Sequence, residues 1–192
     1  MTDNVLVTGC NGQLGSRFKN LSSKYPEFKF FFKDIDLDIS NKQGLENFIL
    51  NNNINIILNT AAYTNVNKAE IEKEKADLIN SFAVNNLVEL SEKYHCKLIH
   101  FSTDYVYDGV SSEPVDEDAS TNPLNYYGKS KRKGEIFIEK SFSESIIIRT
   151  SWLYSYYGTN FVNTIIKKAI KENEINVVND QYGCPTFAED LA

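Results

Sequence analysis

Two side chains that could move a proton, Tyr127 and Lys131, stand four residues apart at the start of a predicted helix, Tyr126 to Lys140. Four residues make about one helical turn, so the two side chains share a face. A tyrosine with its ordinary pKa near ~10 is a poor proton donor at neutral pH. A neighbouring ammonium stabilises the phenolate and lowers that pKa. The pair could therefore protonate the oxygen of a carbonyl group that accepts a hydride. The alternative register, Tyr126 with Ser130, lacks the lysine.

A hydroxyl side chain, Thr103, follows the predicted strand Lys97–Phe101. In open parallel sheets, ligands bind at the carboxyl ends of the strands. Thr103 is therefore placed to donate a hydrogen bond to the same carbonyl oxygen and to fix its position. A Y-x-x-x-K pair alone is a weak signal, but its place after this strand end and after a glycine-rich turn favours a catalytic role.

The glycine-rich turn contains Gly9, Gly12 and Gly15 in a G-x-x-G-x-x-G pattern, between the predicted strand Val5–Thr8 and a helical pattern. Dinucleotide binding requires this order of strand, turn and helix. Gly9 permits a sharp turn, Gly12 lets the backbone approach a pyrophosphate, and Gly15 lets the helix pack closely on the strand. The amide groups and the positive dipole end of the helix would hold the phosphates.

The residue expected to select the cofactor is Asp34, at the end of the second predicted strand. A carboxylate at that place binds the adenosine ribose hydroxyls. Because a carboxylate repels a 2′-phosphate, Asp34 favours NADH over NADPH. Lys33 and Arg17 are close enough in sequence to weaken this preference, so the expected cofactor is NADPH or NADH.

Strands and helices alternate along the chain, and several strands are apolar on both faces. This pattern predicts an α/β fold with a Rossmann-like, doubly wound parallel sheet. We expect a dinucleotide-binding domain over residues 1–150 and an incomplete, smaller substrate-binding part over residues 151–192. A last strand, Glu174–Val178, is expected to return to the sheet near residues 174–180.

Two further expectations concern helices. The apolar spacing predicts a long helical stretch that turns Leu78 and Phe82 inward. The segment Pro185–Ala192 is typical of the first turn of a helix, with Thr186 as its cap and Glu189 three residues later. Because this pattern has only begun where the sequence stops, we expect the chain to be C-terminally truncated.

The composition excludes several classes of protein. The chain has 192 residues and a net charge of −6, with a hydrophobic content of 42%. These values indicate a globular protein and argue against nucleic acid or an anionic membrane as a partner. The three cysteines form neither a disulfide framework nor a metal-binding pattern, and no metal site is expected. A cytoplasmic location fits best, and we expect a homodimer.

Motifs along the whole chain are similar, in order, to those of the dTDP-4-dehydrorhamnose reductases, a family of extended short-chain dehydrogenases. They are Gly9–Gly15, Asn59-Thr-Ala-Ala-Tyr63, Lys68-Ala-Glu70, His100-Phe-Ser-Thr-Asp-Tyr-Val106, Pro123-Leu-Asn-x-Tyr127-x-x-x-Lys131, Arg149-Thr-Ser-Trp-Leu-Tyr154 and Asn179-Asp-Gln-Tyr-Gly-Cys-Pro-Thr186. The chain departs from the family at Asn67, where an aspartate is common. Family members also continue further, with much of the sugar pocket in that later part.

The resemblance implies NADPH- or NADH-dependent reduction of the 4-keto group of dTDP-4-dehydro-6-deoxy-L-mannose to dTDP-L-rhamnose. This dTDP-keto-sugar reaction belongs to nucleotide-sugar and cell-surface polysaccharide biosynthesis. The implied catalytic residues are Thr103, Tyr127 and Lys131. The implied cofactor contacts are Gly9, Asn11, Gly12, Gln13, Leu14, Gly15, Asp34, Asp38, Ile39, Ala61, Ala62, Tyr63, Tyr127 and Lys131. The implied substrate contacts are Thr103, Asp104, Tyr105 and Trp152.

Two alternatives stay open on the sequence. Related 4,6-dehydratases and C4 epimerases share the superfamily, but a dehydratase needs an Asp-Glu pair after the threonine, and here Tyr105 follows Asp104. A non-catalytic regulatory subunit that binds a dinucleotide and a partner enzyme is the other alternative. The presence of Thr103, Tyr127 and Lys131 argues against it.

Overall fold

A five-stranded parallel sheet forms the centre of the chain, in a computed structural model that describes residues 2–111 and 113–192. Its strands are β1 (Asp3–Thr8), β2 (Phe28–Phe32), β3 (Ile56–Asn59), β4 (Lys97–Thr103) and β5 (Ser145–Thr150). Their order across the sheet is β2-β1-β3-β4-β5, and every neighbouring pair is parallel. The strand order reverses beside β1, which is where ligands bind in doubly wound folds.

The strands are linked by helices and short helical turns. These are α1 (Gln13–Leu21), a 3₁₀ turn (Ser22–Lys24), α2 (Lys42–Asn51), α3 (Val66–Ala69), α4 (Lys73–Asp77), a π-helical segment (Leu78–Phe82), α5 (Ala83–Tyr94), a 3₁₀ turn (Asp104–Val106) and α6 (Tyr126–Glu139). After β5 come the short strand β6 (Leu153–Tyr154), α7 (Phe161–Lys171), the short strand β7 (Thr186–Phe187) and α8 (Ala188–Leu191). The predicted α/β fold with a doubly wound parallel sheet is confirmed.

Alternation along the strands creates a core on each face of the sheet. Leu6, Ile57 and Leu98 lie in one row across three strands and are fully buried. They pack with apolar side chains of α2, α5 and α6 in the larger core. On the opposite face, Val7 and Leu58 are neighbours in the register and belong to a second, smaller cluster that includes Phe18 of α1. Helices therefore cover both faces, as the continuous apolar strands predicted.

Three local predictions from the sequence are wrong. Glu174–Val178 forms no strand: residues 172–185 have no regular structure, and Val177 and Val178 are exposed. A β-branched run needs a neighbouring strand and a packed face, and this segment has neither. The strand that does form is β7, which pairs with β6 in a separate two-stranded sheet. Consequently Thr186 belongs to a strand and does not cap a helix; α8 begins after Phe187.

The third error concerns the helical stretch before β4. The π-helical segment adds a residue to one turn and rotates the following residues around the axis. Leu78 and Phe82, which were predicted to face inward, are 44% and 59% exposed. The buried side chains of this segment are instead the polar Asn80 and Ser81. The apolar pattern is restored in α5, where Val84 and Leu87 are fully buried.

The close packing of α6 on the π-helical segment yields a prediction about stability. A Cβ atom at Gly134 would lie 2.3 Å from the backbone oxygen of Asn80. We expect Gly134→Ala to lower the free energy of unfolding by about 1–3 kcal/mol, as overpacking does, although alanine favours helix over glycine by about 1 kcal/mol. Urea denaturation measures the change.

The matched control is Gly44→Ala in α2, where the added Cβ would approach only side-chain atoms of Asn41. This variant should stay within about 1 kcal/mol of the parent chain. A Gly134→Ala protein as stable as the parent would show that the two helices can separate without cost.

Candidate active site

The glycine-rich turn forms a tight loop between β1 and α1. Gly9 has a φ of +65°, and a Cβ there would lie 2.7 Å from the backbone of Ala61. A Cβ on Gly15 would lie 2.4 Å from the oxygen of Gly9. Gly12 precedes α1 without a capping side chain, so the first amide groups of the helix are available to a ligand. This is the geometry of an anion-binding helix start.

Asp34 lies beside this loop. Its Oδ2 accepts a hydrogen bond from the amide of Asn11 at 2.9 Å, and its Oδ1 accepts from the amide of Ile35 at 3.0 Å. The carboxylate therefore fixes the loop from the end of β2. Lys33, which was expected to weaken the preference of Asp34, forms an ion pair with Asp36 at 2.6 Å.

The other predicted cofactor contacts differ in their burial and in the partners of their side chains. Gln13 uses its side-chain amide to bind Leu153, Ser155 and Asn160. Leu14 and Ile39 are buried, and the Asp38 carboxylate binds Ser40. Leu14 and Ile39 therefore present little side-chain surface to a dinucleotide. These assignments stay predictions.

Ala61, Ala62 and Tyr63 follow β3 and run past the loop at Gly9. The backbone of Tyr63 is held on both sides by Asn80, which accepts from its amide at 2.8 Å and donates to its carbonyl at 2.9 Å. Asn80 also donates to the hydroxyl of Ser130 in α6 at 3.0 Å. The buried π-helical segment thus connects the loop after β3 to the helix that carries Tyr127. The sequence pattern gave no indication of this role for Asn80.

The loop after β4 meets the start of α6. Asn125 caps α6 by accepting from the amide of Gly128 at 2.7 Å. A Cβ at Gly128 would lie 2.1 Å from the backbone oxygen of Tyr105, so only glycine allows this approach. The rings of Tyr105 and Tyr127 then pack edge to face, with centroids 5.8 Å apart. The Thr103 hydroxyl donates to Asp104 at 3.0 Å and accepts from the amide of Tyr105 at 3.2 Å.

The structure brings Thr103, Tyr127 and Lys131 to the carboxyl end of β4, but the electrostatics differ from the expectation. Burial raises the pKa of Tyr127 to about 12, and the nearby Thr103 hydroxyl offsets part of this effect. Lys131, which is 1% exposed, has its pKa lowered by burial to about 8. The predicted lowering of the Tyr127 pKa by Lys131 is therefore not present in this structure. Desolvation dominates because Lys131 lies inside the protein and Tyr127 is partly buried.

Lys131 has two polar neighbours on β4. Its Nζ donates to the carbonyl of Phe101 at 2.7 Å and lies 3.3 Å from Nε2 of His100. His100 is fully buried, and its pKa is well below the ordinary value because of burial and the nearby Lys131. The sequence suggested no role for His100. Only its position three residues before Thr103, on the same face as Ser102, could have indicated one.

A buried ion pair lies one helical turn after Lys131. Glu135 is fully buried and accepts from Arg149 of β5 at 3.0 Å and 2.9 Å and from Arg132 at 3.3 Å. These contacts fix α6 against β5. Glu135 also acts on Lys131, where its charge opposes the effect of burial on the pKa.

A cleft of about 700 Å³ opens at the carboxyl end of β5. Asp104, Tyr107, Arg149 and Thr150 line it, and burial raises the pKa of Asp104. Trp152, with a φ of +47°, is 43% exposed at the turn after β5. Asp104 and Tyr105 lie near Tyr127. Trp152 lies further along the chain, on the turn after β5.

Two absences hold for residues 2–111 and 113–192. No helix there is both long enough and apolar enough to cross a membrane. No group of three or more His, Cys, Asp or Glu side chains is arranged to hold a metal ion.

Comparison with known proteins gives one consistent result. Residues 3–192 match the family described as the RmlD substrate binding domain. A dTDP-4-dehydrorhamnose reductase of Aggregatibacter actinomycetemcomitans is 39% identical over 98% of this chain and 64% of its own length. A spore coat polysaccharide biosynthesis protein of Bacillus subtilis is also 39% identical, over 98% of this chain and 66% of its own length.

Among solved structures, a dTDP-4-dehydrorhamnose reductase of Bacillus anthracis in complex with NADP is similar to this chain. The TM-score is 0.93 and the identity is 40%, over 100% of this chain and 68% of that one. The chain thus spans slightly less than two thirds of the length of the two curated relatives, 64% and 66%.

The buried carboxylate of Glu135 gives a testable consequence. We expect Glu135→Gln to lower the free energy of unfolding by about 3 kcal/mol, because it leaves Arg149 without its buried counter-charge. The same change removes the negative charge that favours the ammonium of Lys131, so the pKa of Lys131 should fall further. Chemical denaturation and NMR titration of Lys131 measure the two effects.

Glu139→Gln is the matched control, since Glu139 pairs with the same arginines but has a side chain that is 41% exposed. Its effect should stay below about 1 kcal/mol. Equal losses of unfolding free energy in the two variants would show that the buried carboxylate stabilises the fold no more than the exposed one.

Proposed function

Because this chain belongs to the RmlD substrate binding domain family, we propose that it takes part in the reduction, by NADPH or NADH, of dTDP-4-dehydro-6-deoxy-L-mannose to dTDP-L-rhamnose. The observation that carries the proposal is the meeting of Thr103, Tyr127 and Lys131 at the carboxyl end of β4. The names of the relatives agree with this reaction. A place in cell-surface polysaccharide synthesis, the cytoplasm as its location and a homodimeric state are parts of the same proposal.

The chain's own residues fit a dinucleotide. Glycines at positions 9 and 15 leave no room for a side chain, and the start of α1 has no capping side chain. A pyrophosphate would take up the free amide groups there. Asp34 already orients the amide of Asn11 at 2.9 Å and would meet the ribose hydroxyls. The Bacillus anthracis relative is described with NADP, so both reduced cofactors belong to the proposal.

A bound reduced nicotinamide would supply the hydride for C4 of the sugar. Tyr127 would donate its phenolic proton to the oxygen that becomes the hydroxyl group. Thr103 would turn its hydroxyl from Asp104 to the same oxygen and hold it in place. Lys131 holds α6 on β4 through the Phe101 carbonyl at 2.7 Å. Its ammonium form would stabilise the phenolate that Tyr127 leaves behind. Asp104, Tyr105 and Trp152 would face the sugar.

The site also bears on the alternatives. A dehydratase requires a second acid/base pair, and the residue after Asp104 is Tyr105, whose ring packs on Tyr127. A dinucleotide-binding subunit without catalysis could use Lys131 as a cofactor contact, but it would not need a proton donor such as Tyr127 beside Thr103. Burying Lys131 is unfavourable for its charged form, which supports a catalytic use for it.

Cofactor choice gives the first test. We expect Asp34→Ala to weaken the binding of NADH more than that of NADPH, by about tenfold, since a charge-assisted hydrogen bond contributes roughly 1.5–3 kcal/mol. Fluorescence titration with each reduced cofactor measures the two affinities. Glu27→Ala, which removes an exposed carboxylate at the opposite end of β2, should change neither affinity. Equal losses of NADH and NADPH in Asp34→Ala would show that Asp34 fixes the loop without selecting the cofactor.

The proton donor gives the second test. Tyr127→Phe removes only the phenolic hydroxyl, so cofactor affinity should persist while turnover of the dTDP-keto-sugar falls by roughly 10²–10⁴, the usual scale for loss of a general acid. Oxidation of NADPH or NADH, followed by absorbance with and without the sugar, measures both.

Tyr126→Phe is the matched control, because the Tyr126 hydroxyl donates to Asp77 at 2.8 Å, away from Lys131. It should keep its turnover. Loss of turnover in Tyr126→Phe but not in Tyr127→Phe would show that Tyr126, and not Tyr127, is the proton donor. Binding of the cofactor by the parent chain without any turnover would favour the non-catalytic alternative.

A further inference from the structure

A chain of four buried or nearly buried side chains crosses the sheet beneath the site. The Thr8 hydroxyl donates to Oδ1 of Asn59 at 2.7 Å, and Nδ2 of Asn59 lies 2.9 Å from Nδ1 of His100. Nε2 of His100 lies 3.3 Å from Nζ of Lys131. The chain thus joins β1, β3 and β4 to α6. All four side chains are at most 2% exposed.

The orientation of the Asn59 amide in this structure assigns the tautomer of His100. Asn59 receives the Thr8 hydroxyl on its oxygen and therefore presents its amide N–H group to Nδ1 of the ring. A neutral imidazole has one donor and one acceptor nitrogen. If Nδ1 accepts, the ring proton is on Nε2. Burial holds the pKa of His100 well below its ordinary value, so the ring stays neutral and keeps one donor and one acceptor nitrogen.

An Nε2–H group that faces Lys131 affects the charge of that lysine. An ammonium group has three donors and no acceptor, so it would place a donor against a donor across 3.3 Å. The uncharged amine has a lone pair that accepts from Nε2–H, and it can still donate to the Phe101 carbonyl at 2.7 Å. The contact is a hydrogen bond only in the second case.

We propose that His100 is a positioning residue for Lys131: fixed by Asn59 as the Nε2–H tautomer, it holds Nζ in place and favours the uncharged amine. The contribution of this His100–Lys131 pairing to catalysis rests on the proposed function, whereas the pairing itself does not. In the reductase, Lys131 would gain and lose its charge close to physiological pH, so that stabilisation of the Tyr127 phenolate would decline as the pH rises through the pKa of Lys131.

The other groups around Lys131 agree with this assignment. Tyr127 lies one turn before it and carries a neutral phenol, since its pKa is raised to about 12. Glu135, one turn after it, favours the ammonium, but its carboxylate is already bound by Arg149 and Arg132. Burial is the larger effect, and it lowers the pKa of Lys131 to about 8. The charged fraction therefore falls as the pH rises through about 8.

The first measurement is the tautomer of His100 in the unaltered chain, from ¹⁵N-histidine NMR between about pH 5 and pH 9. The chain has two histidines, and the other one, His95, is exposed, so replacing His95 assigns the two sets of ring signals. His100 should stay neutral throughout, with the proton on Nε2. A proton on Nδ1, or titration of His100 within this pH range, would overturn the proposal.

The second measurement is the sign of a pKa change at Lys131. In His100→Phe, loss of the Nε2–H donor should raise the NMR titration midpoint of Lys131 by about half a unit to one unit. If His100 instead accepts from the ammonium, the same variant lowers the midpoint, and the proposal fails. An unchanged midpoint also contradicts it. The exposed control, His95→Asn, should leave the midpoint where it is.

Neither measurement needs a dinucleotide or a sugar. A chain that binds no cofactor and reduces no sugar could still show the Nε2–H tautomer, and an active reductase could show the opposite one. The two proposals can therefore fail separately. Should His100→Phe not fold, the tautomer in the unaltered chain still decides the question.

Discussion

The anchoring of Lys131 on the carbonyl of Phe101 is the contact on which the geometry of the site depends. A primary amine with 1% exposure must have its hydrogen bonds met inside the protein, and the nearest acceptor belongs to β4 at 2.7 Å. Helix α6 must therefore lie close against β4 and the loop that follows it. Gly128 allows this approach, because a Cβ there would collide with the backbone oxygen of Tyr105. Gly134 has the same role on the other side, against the backbone oxygen of Asn80 in the π-helical segment. Tyr127 is held beside Thr103 as a consequence of this packing.

The cost of burying that amine explains the polar groups that surround it. An isolated charge in a protein interior is unfavourable by several kcal/mol, and lysine responds by a lowered pKa. The structure shows this response, and it adds Glu135 on one side and His100 on the other, with opposite effects on the charge. Glu135 does not neutralise Lys131 fully, because Arg149 holds its carboxylate at two distances near 3 Å. The site thus keeps a lysine that is present in both its charged and its uncharged form near neutral pH.

Sequence patterns predicted the parts of this structure that follow from local physics. The apolar strands and the glycine turn depend on neighbouring residues, and the parallel α/β sheet followed from them. The errors arose where contacts between residues far apart in the sequence determine the structure. No local signal marks the π-helical turn that buries Asn80 and exposes Phe82. The pKa of Tyr127 was predicted to fall from its spacing to Lys131, whereas its burial, which spacing does not report, raises it.

Distant contacts also change the relation between the two predicted parts of the chain. Gln13, at the first position of α1, binds the carbonyl of Leu153 and the side chains of Ser155 and Asn160. One turn later, Arg17 is buried, pairs with Glu189 and lies 4.0 Å from the ring centre of Tyr157. Helix α1 is therefore packed against residues of the segment after β5, which was predicted to be a separate part of the chain. A shift of that segment would act on α1 directly, because the same side chains join both.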